Sequence, residues 1–333
     1  MRRPRRPDQD RARELPAQER GSVHEGPLKG DEMTEELNIV NLFCGMGGDE
    51  LGIKDMRNYE LTDVAITVDG HVLHRIRAVK DIPHINISIG DLGGWIESTD
   101  NLRDDAWVFD DAMVFGKAVV RDRACVFDYA RVRDDAVVSD IAHVRGNARV
   151  FGNASVFDDA YVMGRAVIHD SACVGSHAKI CGNAEICGCA QILGYACVFD
   201  DARVYDRAYV FGNARIYGAA KVHGHARVHD EASIFDDAEV YGDEWVSGIA
   251  ELCGDAVVVR ESDYAVYKNT WSSRRWFTYT RSNKKWKVGC FHGTGDRLIA
   301  KAYRDSQLSG HCYETIVRAQ EAIEKAIEKE RAK

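Results

Sequence analysis

The side chains able to do chemistry fall into three groups. His177, Cys181, Cys187 and Cys189 crowd into one short stretch and are of the types that ligate zinc. His143, His169, His223 and His229 are of the type that serves as a general base, given an orienting partner and a nearby hydroxyl or amine. Between 262 and 287 lie Lys268, Arg274, Arg275, Arg281, Lys284, Lys285 and Lys287 against one acid, Asp263, interleaved with Tyr264, Tyr267, Trp271, Trp276, Phe277, Tyr279 and Trp286. Cations for phosphate and ring faces for stacking are what a binder of nucleotides or single strands needs. The candidate ligand-binding residues are therefore Arg274, Arg275, Trp276, Arg281, Lys284, Lys285, Trp286 and Lys287. The plainer reading is preferred beside it: alternate aromatics pack on neighbouring helices, and the charges are solvated or face an acidic surface.

What must position these residues is a repeat. Alanine stands at every sixth position from Ala106 to Ala256, with Glu244 the one exception among 26 sites. Two residues after each comes Val or Ile, with Leu252 the one departure, and two further on comes Gly at thirteen sites or Asp at eleven. The alanine and the aliphatic residue point to one face of an extended strand. Gly or Asp then turns the chain, Gly through positive φ and Asp by tolerating it or capping a turn. One hexad cannot bury its apolar face alone, so three must close a triangular coil that stacks on the next. The array predicts between eight and nine coils and a prism roughly 40 Å long at about 4.8 Å per strand.

Residues three hexads apart then share a column. Phe199, Tyr217 and Phe235 are expected to form an aromatic ladder and an interaction face for a second copy or a protein partner. Cys181 and Cys187 fall on different faces, so no metal site and no cofactor is expected. The column His169, Cys187, Tyr205, His223 and Tyr241 is the more sensible place to look for an ion. No loop leaves the array to build a pocket beside the histidines.

The A-x-V-x-[G/D]-x array resembles the hexapeptide repeat of left-handed parallel β-helices, among them acyltransferases. The left hand comes from that resemblance alone, since general crossover rules would give the right hand. With Gly93-Gly94-Trp95-Ile96 and the segments on either side, residues 57–330 look like uncharacterised bacterial and phage or prophage β-helix proteins. That resemblance implies a fold and a mobile-element context but no chemistry. Residues 38–52, with Phe43-Cys44-Gly45-Met46-Gly47-Gly48, resemble the first motif of DNA cytosine-5 methyltransferases, which receives S-adenosylmethionine. No Pro-Cys nucleophile loop follows, so methyl transfer is set aside.

Charge and composition bound the rest. The segment 101–260 holds 25 acidic and 16 basic side chains and the remainder 28 of each, so the formal charge of −9 belongs to the repeat. That weighs against nucleic acid lying along the coils. Ten cysteines without a paired framework suit a reducing cytoplasm, and no stretch is long and apolar enough to span a membrane.

The reading is an all-β solenoid with caps. Residues 1–56 are a disordered leader or a mis-set start, with Met33 and Met56 as alternative starts. Residues 57–100 are a hairpin cap turning at Asp69-Gly70. Residues 101–260 are the β-helix, and 261–333 a small α+β domain. There, strands at 263–267 and 276–280, a return at 286–291, a helix ending near Asp305 and a helix over 313–329 are expected. The second helix should carry Ile316, Ala319, Ala322, Ile323 and Ile327 on its apolar face. The functional expectation leans away from an enzyme, towards a scaffold or binding protein that forms homo-oligomers. Acyl transfer and anionic-ligand or nucleic-acid binding at 262–287 are the alternatives.

Overall fold

The structure is a computed structural model and describes residues 57–331. The basic leader and the glycine-rich turn of 38–52 lie outside the described residues. An antiparallel hairpin opens the fold, β1 (Tyr59–Val68) and β2 (His71–Ala78), followed by β3 (Leu92–Ile96). Asp69 (φ 50°) and Gly70 (φ 87°) take the two positive-φ positions that a two-residue turn of this hand demands. Then come short strands, one to each hexad, β4 (Trp107–Val108) through β29 (Val257–Val258). They stack in parallel into three faces, each strand pairing with the one three hexads along. The middle of the chain is thus a three-sided parallel β-solenoid of about nine turns.

The repeat alanines and aliphatics are fully buried from Ala112 and Val114 onwards, forming one continuous column. Each buried Val or Ile side chain contributes roughly 1.5–3 kcal/mol. The polypeptide satisfies its own edges coil by coil: Phe115 N–H donates to Val132 O at 3.1 Å, Asp135 N–H to Gly152 O at 2.9 Å. The corners close locally, as where Ala112 N–H donates back to Phe109 O at 3.0 Å.

Corner aspartates do more than tolerate positive φ. Each of the eleven, and Asp104 ahead of them, accepts a hydrogen bond from the backbone N–H of the equivalent residue one coil later. Asp158 accepts from Ser176 N at 2.9 Å, for example. One carboxylate therefore caps the corner of the next coil. Glycine corners serve where backbones come closest: a Cβ on Gly182 would sit 2.6 Å from Asp200 N.

The solenoid starts earlier than expected. β3 pairs in parallel with β5 (Met113–Val114), Trp95 opposite Met113 and Ile96 opposite Val114, while β2 pairs antiparallel with β3. Leu102 bridges to Val120. The hexad register therefore runs back to Ile96, and the hairpin both extends one face and, through Tyr59, Ile76, Ile82 and Ile87, packs on the first rung of the column as the expected cap. The glycines in 92–96 hid this, because they replace the alanine that marks the repeat.

At the far end stands a four-stranded antiparallel sheet of β30 (Tyr264–Lys268), β31 (Trp276–Thr280), β32 (Lys285–Val288) and β33 (Phe291–Gly293). The expected single return strand is two short ones, broken at Gly289. Helices α1 (Gly295–Asp305) and α2 (Gln307–Arg331) pack on this sheet. α2 begins well before the expected start at Tyr313, because Gly310 lets it pass close to Tyr303, whose ring a Cβ would meet at 2.1 Å. Its buried face is also rotated, to Tyr313, Ile316, Val317, Gln320 and Glu324, leaving Ile323 exposed. Arg281 is the reason, binding Glu324 through Nε at 2.9 Å and Nη2 at 3.2 Å. Among the described residues, no helix is long and apolar enough to cross a membrane.

Candidate functional site

Side-chain hydroxyls join the C-terminal domain to the last coils. Glu251 N–H donates to Thr278 Oγ1 at 3.0 Å, Val257 N–H to Ser282 Oγ at 2.7 Å, and Tyr264 Oη–H to Trp245 O at 3.1 Å. The open rung is thus capped without continuing its sheet, which protects it from pairing with another chain.

This docking uses up much of the expected basic site. Lys285 reaches Asp255 at 2.9 Å, Lys287 lies 3.8 Å from Glu251 and over the Phe235 ring, and Lys284 lies 3.8 Å from Glu328. The hydrogen bond from Lys285 holds the Asp255 carboxyl down at about 2. Arg281 is held between Glu324 and Asp263, and Trp286 is buried in the domain core. Burial, with Glu324 adding to it, pushes the Tyr279 phenol up to about 12. Five of the eight candidates therefore serve the fold.

The other three, Arg274, Arg275 and Trp276, come together at the β30–β31 hairpin tip. All three are exposed, as are Lys268 and Trp271, the latter 68% accessible. Lys268 Nζ lies 4.7 Å over the Trp276 ring. Beneath them, fully buried Asn269 organises the loop: its Oδ1 accepts from Trp271 N and Ser272 N, each at 3.1 Å, and its Nδ2 donates to Ser272 Oγ at 2.8 Å. Arg274 sits at φ 54°, a left-handed conformation that a side chain of its size adopts only when its surroundings impose it. The tip is a fixed display of cations and indoles, and Asn269 was the signal that sequence reasoning missed.

The ladder forms as expected. Phe199, Tyr217 and Phe235 stack with centroids 4.8 Å apart at each step and planes within 3°. Its rings are half-buried by one another, and Lys287 covers the Phe235 end. The apolar side chains most open to water lie elsewhere, among them Val64, Val72 and Leu92 of the N-terminal strands.

The histidines are tied into the columns. His169 stacks on Phe151 at 5.0 Å, and His223 on Tyr205 and Tyr241 at 4.5 and 5.0 Å. Of the zinc ligand types, Cys181 and Cys187 stand in different columns. Cys187 instead lies beside His169 and Asp170. Burial pushes its thiol up to about 11, and the carboxylates of Glu185, Asp170 and Asp206 add to the shift.

A pocket beside a histidine does exist, contrary to expectation. The turn at Pro83–Ile85 places His84 and Ile85 over the first coils. With Phe109, Phe127, Arg123, His143 and Asp159 they line a shallow depression of about 440 Å³. Burial holds His143 below the usual imidazole value, with Asp159 acting against it. The repeat pattern could not reveal this, since the overhanging residues come from outside it.

No protein-family model matches this sequence, and no curated protein matches it significantly.

Proposed function

We propose that this chain is a non-catalytic β-solenoid scaffold that binds a polyanionic partner through the tip of its C-terminal hairpin. The observation that carries the reading is the division among the basic residues of 262–287. Arg281, Lys284, Lys285 and Lys287 face acids of the last coils or of α2, whereas exposed Arg274 and Arg275 make no ion pair among the described residues. They stand beside Trp271 and Trp276, and cations next to open ring faces suit phosphates with stacked bases. The acidic solenoid repels the same ligand, which confines it to the tip.

Fluorescence anisotropy with a single-stranded oligonucleotide, titrated at several salt concentrations, tests this. Binding should weaken steeply with salt, and replacing Arg274 and Arg275 by alanine should lower the salt slope by about 1 to 2. A salt-independent signal, or one unchanged in that variant, rejects the reading. Self-association belongs to the same proposal, with light scattering as the measurement: a mass above that of one chain supports it, and a monomer mass rejects it.

Acyl transfer has one observation in its favour, the depression beside His143. A neutral imidazole beside a cavity is what a general base requires. Thermal shift with coenzyme A derivatives, compared between the native chain and His143→Ala, decides it; the scaffold reading expects no shift in either.

A further inference from the structure

Midway along one face, a ring nitrogen of His169, a carboxylate oxygen of Asp170 and the sulfur of Cys187 lie within 4.8 Å of one another. The coil register brings them together. His169 and Cys187 occupy the same place in adjacent coils, and Asp170 is the corner residue of the lower coil. Asp170 Oδ1 is 3.2 Å from His169 Nδ1, while Glu185 Oε1, on the upper coil, is 3.3 Å from Nε2. Each group is steadied from a second side. Asp170 Oδ2 accepts from Gly188 N at 3.0 Å, Phe151 lies flat against the imidazole, and Arg203 stands 3.4 Å from Glu185.

We propose that His169 Nδ1, Asp170 Oδ1 and Cys187 Sγ form a site for a borderline divalent transition-metal ion, zinc foremost. Glu185 holds the other histidine nitrogen. Ligand atoms about 2.0–2.3 Å from an ion stand roughly 3.3–3.8 Å from one another, so closing the trio needs side-chain shifts of only about 1 Å. Metal-bound histidines commonly give their second N–H to a carboxylate, which fixes the tautomer, and Glu185 occupies that place. Sulfur with nitrogen selects zinc or cobalt, where calcium and magnesium want oxygen alone. Three protein ligands on an outer face leave the fourth position to water or an incoming ligand. On loading, the Cys187 S–H bond breaks, sulfur bonds the ion, and one proton leaves to solvent.

The molecule contains its own comparison. His223 repeats the glutamate contact, with Glu239 3.0 Å from Nε2, but its own corner residue is Gly224, the aspartate 3.7 Å from Nδ1 is Asp206 of the preceding coil, and its column neighbours are Tyr205 and Tyr241. The histidine–glutamate pair therefore recurs in the column, whereas the corner aspartate and the sulfur together are particular to His169.

The test uses the whole chain, reduced and stripped with chelator, titrated with Co²⁺ and then Zn²⁺. One ion per chain is expected, with thiolate-to-cobalt absorption that zinc displaces and about one proton released per ion bound. Cys187→Ala and His169→Ala should abolish the absorption, and Cys187→Ser should do the same if the alanine variant does not fold. Glu185→Gln should weaken affinity about 10- to 100-fold while the absorption remains, and His223→Ala should change nothing. Absence of the absorption overturns the site. So does absorption that survives in Cys187→Ala, which would mean an adventitious ion only, or an equal loss in His223→Ala.

Discussion

Asp158 shows at the scale of one side chain what a corner needs. It sits at φ 55° and accepts from Ser176 N, so it answers both the conformational and the hydrogen-bonding demand. Asp158→Gly removes the bond alone and should cost about 1 kcal/mol. Asp158→Ala keeps a Cβ in the left-handed region without the short polar side chain that lets aspartate tolerate it, and should cost about 1–2 kcal/mol more by denaturant midpoint. Glu244 is the opposite case. It stands at an alanine position with its Oε1 buried and unpartnered among the described residues, and burial raises its pKa. Glu244→Ala should therefore stabilise the protein by about 1–2 kcal/mol at neutral pH. A raised folded-state pKa favours the protonated form, so the native glutamate's penalty grows as pH rises above 4.5 and the gain should shrink in acid. Asp170 and Asp230 shift the other way, chiefly through backbone hydrogen bonds from Gly188 and Gly248. Their contribution is whole above the ordinary value of 3.8 and is lost as pH falls through the lower folded-state value. Thermal melts between neutral pH and pH 2 should show stability falling over that range.

At the scale of elements, the Ala and Val period made the solenoid legible, because every coil buries the same two positions. The aspartate caps were not legible in full, since each partner lies a whole coil away and becomes a neighbour only once the coils stack. The α2 face misled for a related reason: Glu324 reads as solvent-exposed until Arg281, far earlier in the chain, is placed against it. Arg281→Ala leaves that carboxylate buried without its partner and should cost about 3 kcal/mol, read as early melting of the C-terminal domain. The basic hairpin was legible in composition but not in role. Lys285 and Lys287 meet Asp255 and Glu251 on the last coils and Lys284 meets Glu328, whereas Arg274 and Arg275 stay exposed.

Among the described residues, the faces of the solenoid are closed coil to coil by backbone hydrogen bonds, and its last coils are covered by the C-terminal domain. The solenoid's columns stiffen the sides, and the C-terminal domain both closes the last coil and carries the exposed tip. A chain ending at Arg260 would uncover backbone groups of the final coils and should form larger species in size-exclusion chromatography than the full chain does under the same conditions. The sharpest measurement compares single-stranded oligonucleotide affinity with melting temperature in two variants, Arg274→Ala with Arg275→Ala, and Tyr217→Ala. The tip variant should lose at least about tenfold in affinity with its melting unchanged, while the ladder variant melts earlier and binds as before. Loss of binding in the ladder variant with the tip variant unaffected would contradict the placement of recognition at the tip of the C-terminal hairpin.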